Sequence, residues 1–190
     1  MVVRVILLLG FMLDTNILLD FLSIQAKEDK GQRIPASLKR SRELKQKYAS
    51  HAFTNYASEW NLLEFRDVVE KLTEEKKLIE CGYSISEFSE GRKELPLTND
   101  EVEKVQAIVV DMCSFSTVVT KEIDLRFLRG LCNRGFSTFD ALLLLQAHLI
   151  EGCGYFVTRD ARLRDTFDKK LAGTLTGVKI IDRPKALSLL

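Results

Sequence analysis

The stretch FMLDTNILLDFL, residues 11–22, ends a long apolar run with one carboxylate, Asp14. Residues 2–13 are rich in Leu and β-branched side chains without alternation, which is the pattern of a strand covered on both faces, as in a parallel sheet. A short helix is predicted to begin directly after Asp14. Since open α/β sheets bind ligands outside the carboxyl ends of their strands, Asp14 is predicted to lie where a site can form. A helix cap is the alternative role for this acid.

The composition predicts one domain with a substantial core, because 46% of the 190 residues are apolar. The 28 Lys and Arg residues nearly balance the 27 Asp and Glu residues, so nucleic-acid binding would require a local basic patch or a metal. Four scattered cysteines and two histidines argue against zinc and disulfides and favour a reducing, cytoplasmic location. The N-terminal run is expected to be a core strand, with Met1 or Met12 as the start, and not a signal peptide or a membrane span.

Strands and helices are predicted to alternate along the whole chain, which is typical of an α/β fold with a parallel sheet and right-handed crossovers. Segment 78–99 is predicted as a short helix or an exposed loop. Further strands are predicted within residues 51–56, 116–120, 155–158 and 177–184, and helices within 35–49, 57–76, 98–115, 124–135, 137–152 and the segment after Asp160.

Three further acids are placed like Asp14 or are surrounded by apolar residues. Asp140 lies in the first turn of a buried helix, and Asp160 follows the strand at 155–158. Glu64 lies between apolar neighbours in LLEF, where a charge is costly without a partner. Asp140 also fits a capping box with Ser137. Two carboxylates about 4 Å apart repel by roughly 4 kcal/mol at an effective dielectric of 20, so a cluster requires neutralisation, and oxygen ligands favour Mg²⁺ or Mn²⁺.

Three ordered motifs carry a resemblance to a known family: MLDTNILLDFL, ASEWNLLEF and GFSTFDALLLLQAHLIEGCGYFVTRD. Together they resemble the PIN-domain ribonucleases, the family that includes the VapC-type toxins, from residue 12 to about residue 182. The resemblance implies a three-layer α/β/α sandwich with a central parallel sheet and a Mg²⁺- or Mn²⁺-dependent endoribonuclease acting on RNA. It further implies an antitoxin protein and a homodimer as partners, and no membrane. The implied metal-binding residues are Asp14, Glu64, Asp140 and Asp160, supported by Asn16 and Thr158.

Some choices stay open at this point. Glu59 is the alternative to Glu64, and Asp165 is a secondary candidate for the site. Asp20, Asp67 and Asp165 are otherwise expected to be solvated. The chain is longer between the second and third acids than a compact toxin needs, so residues 74–113 are predicted to be a helical or loop elaboration of a single PIN-like domain. The rival hypothesis is a catalytically silent PIN-like module that binds RNA or protein.

Segment 27–47 carries an excess of positive charge, with eight Lys and Arg residues against three Asp and Glu residues. A solvated helix face is the common role of such a segment, and contact with RNA phosphates is the functional alternative. A second group of arginines flanks the acids near the strand at 155–158. The candidate RNA contacts are Lys39, Arg40, Arg42, Arg159 and Arg162.

Overall fold

The sheet of this protein is entirely parallel, as predicted. The structure is a computed structural model and describes residues 9–190. Residues 1–8, where most of the predicted first strand falls, lie outside the described part of the chain. The strand order is β3-β2-β1-β4-β5, with β1 in the centre. The strands are β1 (Gly10–Leu13), β2 (Thr54–Ala57), β3 (Ser116–Val118), β4 (Tyr155–Val157) and β5 (Lys179–Ile181).

Helices alternate with these strands and confirm the predicted α/β class. The helix after Asp14 is longer than expected, because the good helix formers of QAKE continue it into the basic segment. The helices are α1 (Thr15–Asp29), α2 (Lys39–Ala49), α3 (Glu59–Glu80), α4 (Phe88–Glu94), α5 (Asn99–Met112), α6 (Leu125–Cys132), α7 (Thr138–Leu149), α8 (Ala161–Lys170) and α9 (Arg183–Leu189). The helix α9 was not predicted. None of the helices within residues 9–190 has the length and apolar content that a membrane crossing requires.

Both faces of β1 are covered, so the sheet is the middle of three layers. The Phe11 ring lies 4.8 Å from that of Phe53 and packs edge-on against Tyr155. Phe53 in turn contacts Tyr48 of α2, which contacts Phe21 of α1, so this face of β1 is covered by those two helices. The next residue, Met12, belongs with Phe156 to the hydrophobic cluster that contains the buried side of α7. Alternate residues of a strand point to opposite faces, which is why an unbroken apolar run is needed here.

The described chain divides into two compact units, and the boundary falls within α3. The first contains the sheet and consists of the residues up to Asn61 together with Phe115–Leu190. The second, Leu62–Ser114, consists of most of α3 with α4 and α5. The predicted elaboration at 74–113 lies inside this second unit. Its helix α5 begins with a capping box, in which Thr98 accepts a hydrogen bond from the Glu101 amide.

We predict that Gly10→Ala destabilises the sheet. A Cβ at Gly10 would lie 1.8 Å from the carbonyl oxygen of Gly152 and 2.8 Å from the Tyr56 ring. Because the nearest obstacle is backbone, the central strand has to shift, and we expect urea unfolding to show a loss of about 3 kcal/mol. The control is Gly130→Ala in α6, where a Cβ meets no atom within 4 Å and the helix gains up to about 1 kcal/mol. Equal stability of the two variants would contradict this packing.

We also predict an acid-sensitive contact in the second unit. A hydrogen bond from Lys77 at 2.7 Å, assisted by the Thr98 amide, lowers the pKa of Glu101 from its ordinary 4.5 to about 2. A depressed carboxyl pKa stabilises the folded state above pH 4.5, and this contribution is lost as the pH falls towards 2. NMR titration of the side-chain carboxyl should give a midpoint near 2, which rises in Lys77→Met and stays in Lys71→Met.

Candidate functional site

The carboxylate of Asp14 is held at the end of β1 by residues from two elements. The residue is 7% exposed, and its amide donates a 3.0 Å hydrogen bond to the Val157 carbonyl at the end of β4. Its Oδ2 accepts hydrogen bonds from the Thr158 hydroxyl at 2.5 Å and from the Asn16 amide. Although Asp14 occupies the N-cap of α1, its side chain makes no capping hydrogen bond within the described part of the chain. The side chain therefore points to the β4 edge, and not along the helix.

Thr158 connects the acid of the first strand with the acid that follows the fourth. Its hydroxyl accepts a 3.0 Å hydrogen bond from the Asn16 amide group and another of 3.0 Å from the backbone amide of Asp160. Its carbonyl accepts a hydrogen bond from Arg164 in α8. Thr158 is fully buried, so these bonds form away from solvent. The turn from Thr158 to Asp160 is thus fixed to the start of α1.

Asp140 and Asp160 line one polar cavity of about 250 Å³. Asp160 is the N-cap of α8, where its Oδ1 accepts a 3.0 Å hydrogen bond from the Leu163 amide. Asp140 accepts a 2.7 Å hydrogen bond from the Ser137 hydroxyl, and Ser137 caps α7. Asp160 thus caps α8, and Asp140 takes part in the cap of α7 through Ser137, which is the capping alternative given for Asp140. The polar residues that line the cavity are Ser137, Asp140, Asp160, Arg162 and Thr166.

The other candidate acids lie on the helices α3 and α8. Glu64 is half-buried in α3 and belongs to the second unit, so its membership of the site stays a prediction. Glu59 is exposed in the first turn of α3, and its amide donates a hydrogen bond to the Thr120 hydroxyl. Asp165 is exposed on α8.

These residues fit a divalent cation that keeps several of its waters, and not one enclosed by protein ligands. Across residues 9–190, no three or more His, Cys, Asp and Glu side chains are grouped so that they could hold a metal ion. A closed protein cage is therefore not formed here. Mg²⁺, however, usually keeps several waters and binds proteins through one or two carboxylates together with substrate phosphates. Asp140 and Asp160 at a polar cavity offer that donor set, so they fit a hydrated Mg²⁺ or Mn²⁺ ion.

The expectation that Asp20 is solvated was wrong. The residue is 3% exposed, and each of its two carboxylate oxygens is bound. Oδ1 accepts a 2.6 Å hydrogen bond from Arg159, and Oδ2 accepts one of 3.0 Å from Arg183 and one of 2.6 Å from the Ser41 hydroxyl. The apolar neighbours of Asp20 in ILLDFL were a usable indication, by the argument applied to Glu64. No feature of the sequence pointed to Arg183 as its partner.

The basic candidates are largely engaged by acids of the first unit. Arg159 binds Asp20, while Arg40 pairs with Glu43 at 3.0 Å and Arg42 with Glu28 at 2.8 Å. Lys39 is exposed at the start of α2. Arg162 differs from these because it lines the cavity of Asp140 and Asp160.

We predict that Asp20→Ala destabilises the protein by about 3 kcal/mol. Removal of one partner from a buried ion pair costs about 3 to 5 kcal/mol, and the lower figure applies because Arg159 and Arg183 are 48% and 21% exposed. The matched control is Glu43→Ala in α2, whose partner Arg40 is 57% exposed, so that a loss below about 1 kcal/mol is expected. Chemical denaturation of both variants checks the difference, and a similar small loss in both would refute the buried pair.

Comparison with known proteins assigns this chain to no family. No protein-family model matches it, and no curated protein shows significant similarity to it. The resemblance to the PIN-domain ribonucleases therefore stays a prediction from the motifs. The side chains at the carboxyl edge of the sheet are therefore the basis for a proposed function.

Proposed function

We propose that this protein is an endoribonuclease that hydrolyses RNA phosphodiester bonds with the help of Mg²⁺ or Mn²⁺. One observation carries the proposal: the hydroxyl of Thr158 joins Asp14 to the turn of Asp160, which shares a polar cavity with Asp140. One buried threonine and one cavity thus connect acids from three distant parts of the sequence near the carboxyl edge of a parallel sheet, where such folds bind their ligands.

In this proposal Asp140 and Asp160 hold the ion through carboxylate oxygens. Bound there, the ion supplies a water of lowered pKa and shields the charge of a phosphodiester. Asn16 and Thr158 fix the orientation of the Asp14 carboxylate by hydrogen bonds, as the outer partners of metal ligands do. Glu64, or Glu59 as its alternative, is the proposed fourth acid that orients the attacking water.

Arg162 gives the proposed site its affinity for a phosphate. Arg162 lines the same cavity as the two acids, so an anionic RNA backbone meets a cation beside the carboxylates that would otherwise repel it. Lys39, Arg40 and Arg42 on α2 are the proposed outer contacts. They act through charge alone and carry no sequence selectivity.

Two cellular roles in the cytoplasm accompany this chemistry in the proposal: the toxin of a toxin–antitoxin pair, or a housekeeping nuclease that processes RNA. A small antitoxin protein is the proposed inhibitor, and a homodimer is the proposed assembly. Both rest on the PIN resemblance alone. An adjacent gene for a small protein that blocks RNA cleavage by this chain is the observation that tests the toxin role.

The alternative is a silent PIN-like module that binds RNA or protein. It is favoured by the capping hydrogen bonds of Asp140 and Asp160, which account for both acids without a metal. Calorimetric titration with Mn²⁺ separates the two functions. The enzyme binds the ion in a manner that depends on Asp140 and Asp160, whereas the silent module shows no carboxylate-dependent binding.

We predict that Asp140→Asn lowers Mn²⁺-dependent RNA cleavage at least roughly 100-fold, and that Asp14→Asn has a comparable effect. Loss of a residue that merely supports a metal ligand already costs about 10- to 100-fold in affinity or activity. The matched control is Asp168→Asn on the exposed face of α8, which should leave the rate unchanged. Undiminished cleavage by both site variants would remove the proposed activity from this edge of the sheet.

The fourth acid is identified by the same assay. Glu64→Gln should reduce the rate by a factor similar to that of Asp140→Asn, whereas Glu59→Gln should not. Since Glu59 is exposed and contacts Thr120 through its backbone amide, its side chain can be changed without loss of that contact. The reverse result would assign the role to Glu59.

A further inference from the structure

The turn from Thr158 to Asp160 is attached to α1 at two places. The first is the hydrogen bond from the Thr158 hydroxyl to Asp14, together with the one that Thr158 accepts from the Asn16 side chain. The second is Arg159, whose backbone amide donates to the Asn16 side chain at 3.3 Å and whose guanidinium donates to Asp20 at 2.6 Å. Asp14 and Asp20 are six residues apart, which corresponds to about 9 Å along a helix. Two attachments at this separation restrict the orientation of the turn relative to α1 more than either one alone.

Asp20 is itself a rigid anchor. Its second oxygen is bound by Ser41 of α2 and by Arg183, the first residue of α9. Arg183 also donates a 2.8 Å hydrogen bond to the Ser41 hydroxyl, so the three groups form a closed triangle. The carboxylate therefore keeps its place when Arg159 is changed, because two other elements hold it.

We propose that Arg159 and Asp20 form a positioning pair that sets the place of Thr158 and Asp160 relative to Asp14. Where it concerns metal binding, this inference rests on the proposed function. Arg159 is then not an RNA contact, because its guanidinium is directed to Asp20. Arg159 acts through its two neighbours in the sequence. Thr158 holds Asp14, and Asp160 lines the cavity of Asp140.

Arg183 provides a control for a merely structural role, since it binds the same carboxylate from the other side. If Arg159 only neutralised Asp20, loss of either arginine would have the same consequence. If Arg159 positions the turn, Arg159→Met should disturb the turn while Arg183→Met should not. The conservative variant Arg159→Lys should keep the turn ordered, because a single nitrogen of Arg159, Nη1, makes the bond to Asp20.

The first measurement is amide hydrogen exchange in the metal-free protein. The amide of Asp160 is bound to the Thr158 hydroxyl, so its exchange reports local opening of the turn. We expect about 10-fold faster exchange at Asp160 in Arg159→Met, since a hydrogen bond to a charged group is lost. We expect less than about a 3-fold change in Arg183→Met and in Arg159→Lys, and no change at the amides of β1 in any of the three.

The second measurement is the affinity for Mn²⁺ by calorimetry. We expect Arg159→Met to weaken Mn²⁺ binding by roughly 10- to 100-fold, with Arg159→Lys close to the original protein. If the original protein binds no Mn²⁺, the proposed function fails while the exchange measurement still decides the positioning pair. Equal acceleration at Asp160 in Arg159→Met and Arg183→Met, or none in either, would overturn the pair. Loss of order in Arg159→Lys equal to that in Arg159→Met would overturn its ionic basis, and unchanged Mn²⁺ affinity in Arg159→Met would overturn its link to the site.

Discussion

Burial of β1 on both faces and both edges is the constraint on which the rest of the structure depends. Phe11 and Met12 are fully buried on opposite faces, and β2 and β4 flank the strand. A strand enclosed in this way cannot slide, since a shift by one residue would exchange its two faces. The buried residues before Asp14 therefore fix its position at the carboxyl edge of the sheet. There, its charge requires the hydrogen bonds that Thr158 and Asn16 provide.

The same need for a partner applies to Asp20, which lies six residues after Asp14, in α1. Asp20 is 3% exposed, so its charge has to be compensated within the fold. The compensation comes from the residues after β4 and β5, because parallel topology brings both of those strand ends to the edge where α1 begins. The positions of Arg159 and Arg183 beside Asp20 thus follow from the strand order. The two acids of α1 organise the turns around the proposed site.

The elements were largely predictable because their patterns are local. The apolar run before Asp14, the Ser137 cap and the all-apolar face of α7 each determine structure within a few residues. The Asp14–Thr158 contact was anticipated only through the family resemblance, since it joins residues 144 positions apart. The Asp20 cluster was missed because long-range charge pairing leaves no periodic pattern. Glu64 is embedded among apolar residues as Asp20 is, yet it is half-buried whereas Asp20 is 3% exposed, so this pattern does not fix the degree of burial.

Capping and metal binding are compatible roles for the same carboxylate. A carboxylate has two oxygens and about four acceptor positions, and a single capping hydrogen bond uses one of them. Asp160 receives its bond from the Leu163 amide, and Asp140 receives one from Ser137, so each side chain is fixed in direction by its own helix. The outer hydrogen-bond partners of a metal ligand usually supply orientation of this kind. The helix starts at α7 and α8 therefore orient the two acids that line the cavity, and the same hydrogen bonds are compatible with either proposed function.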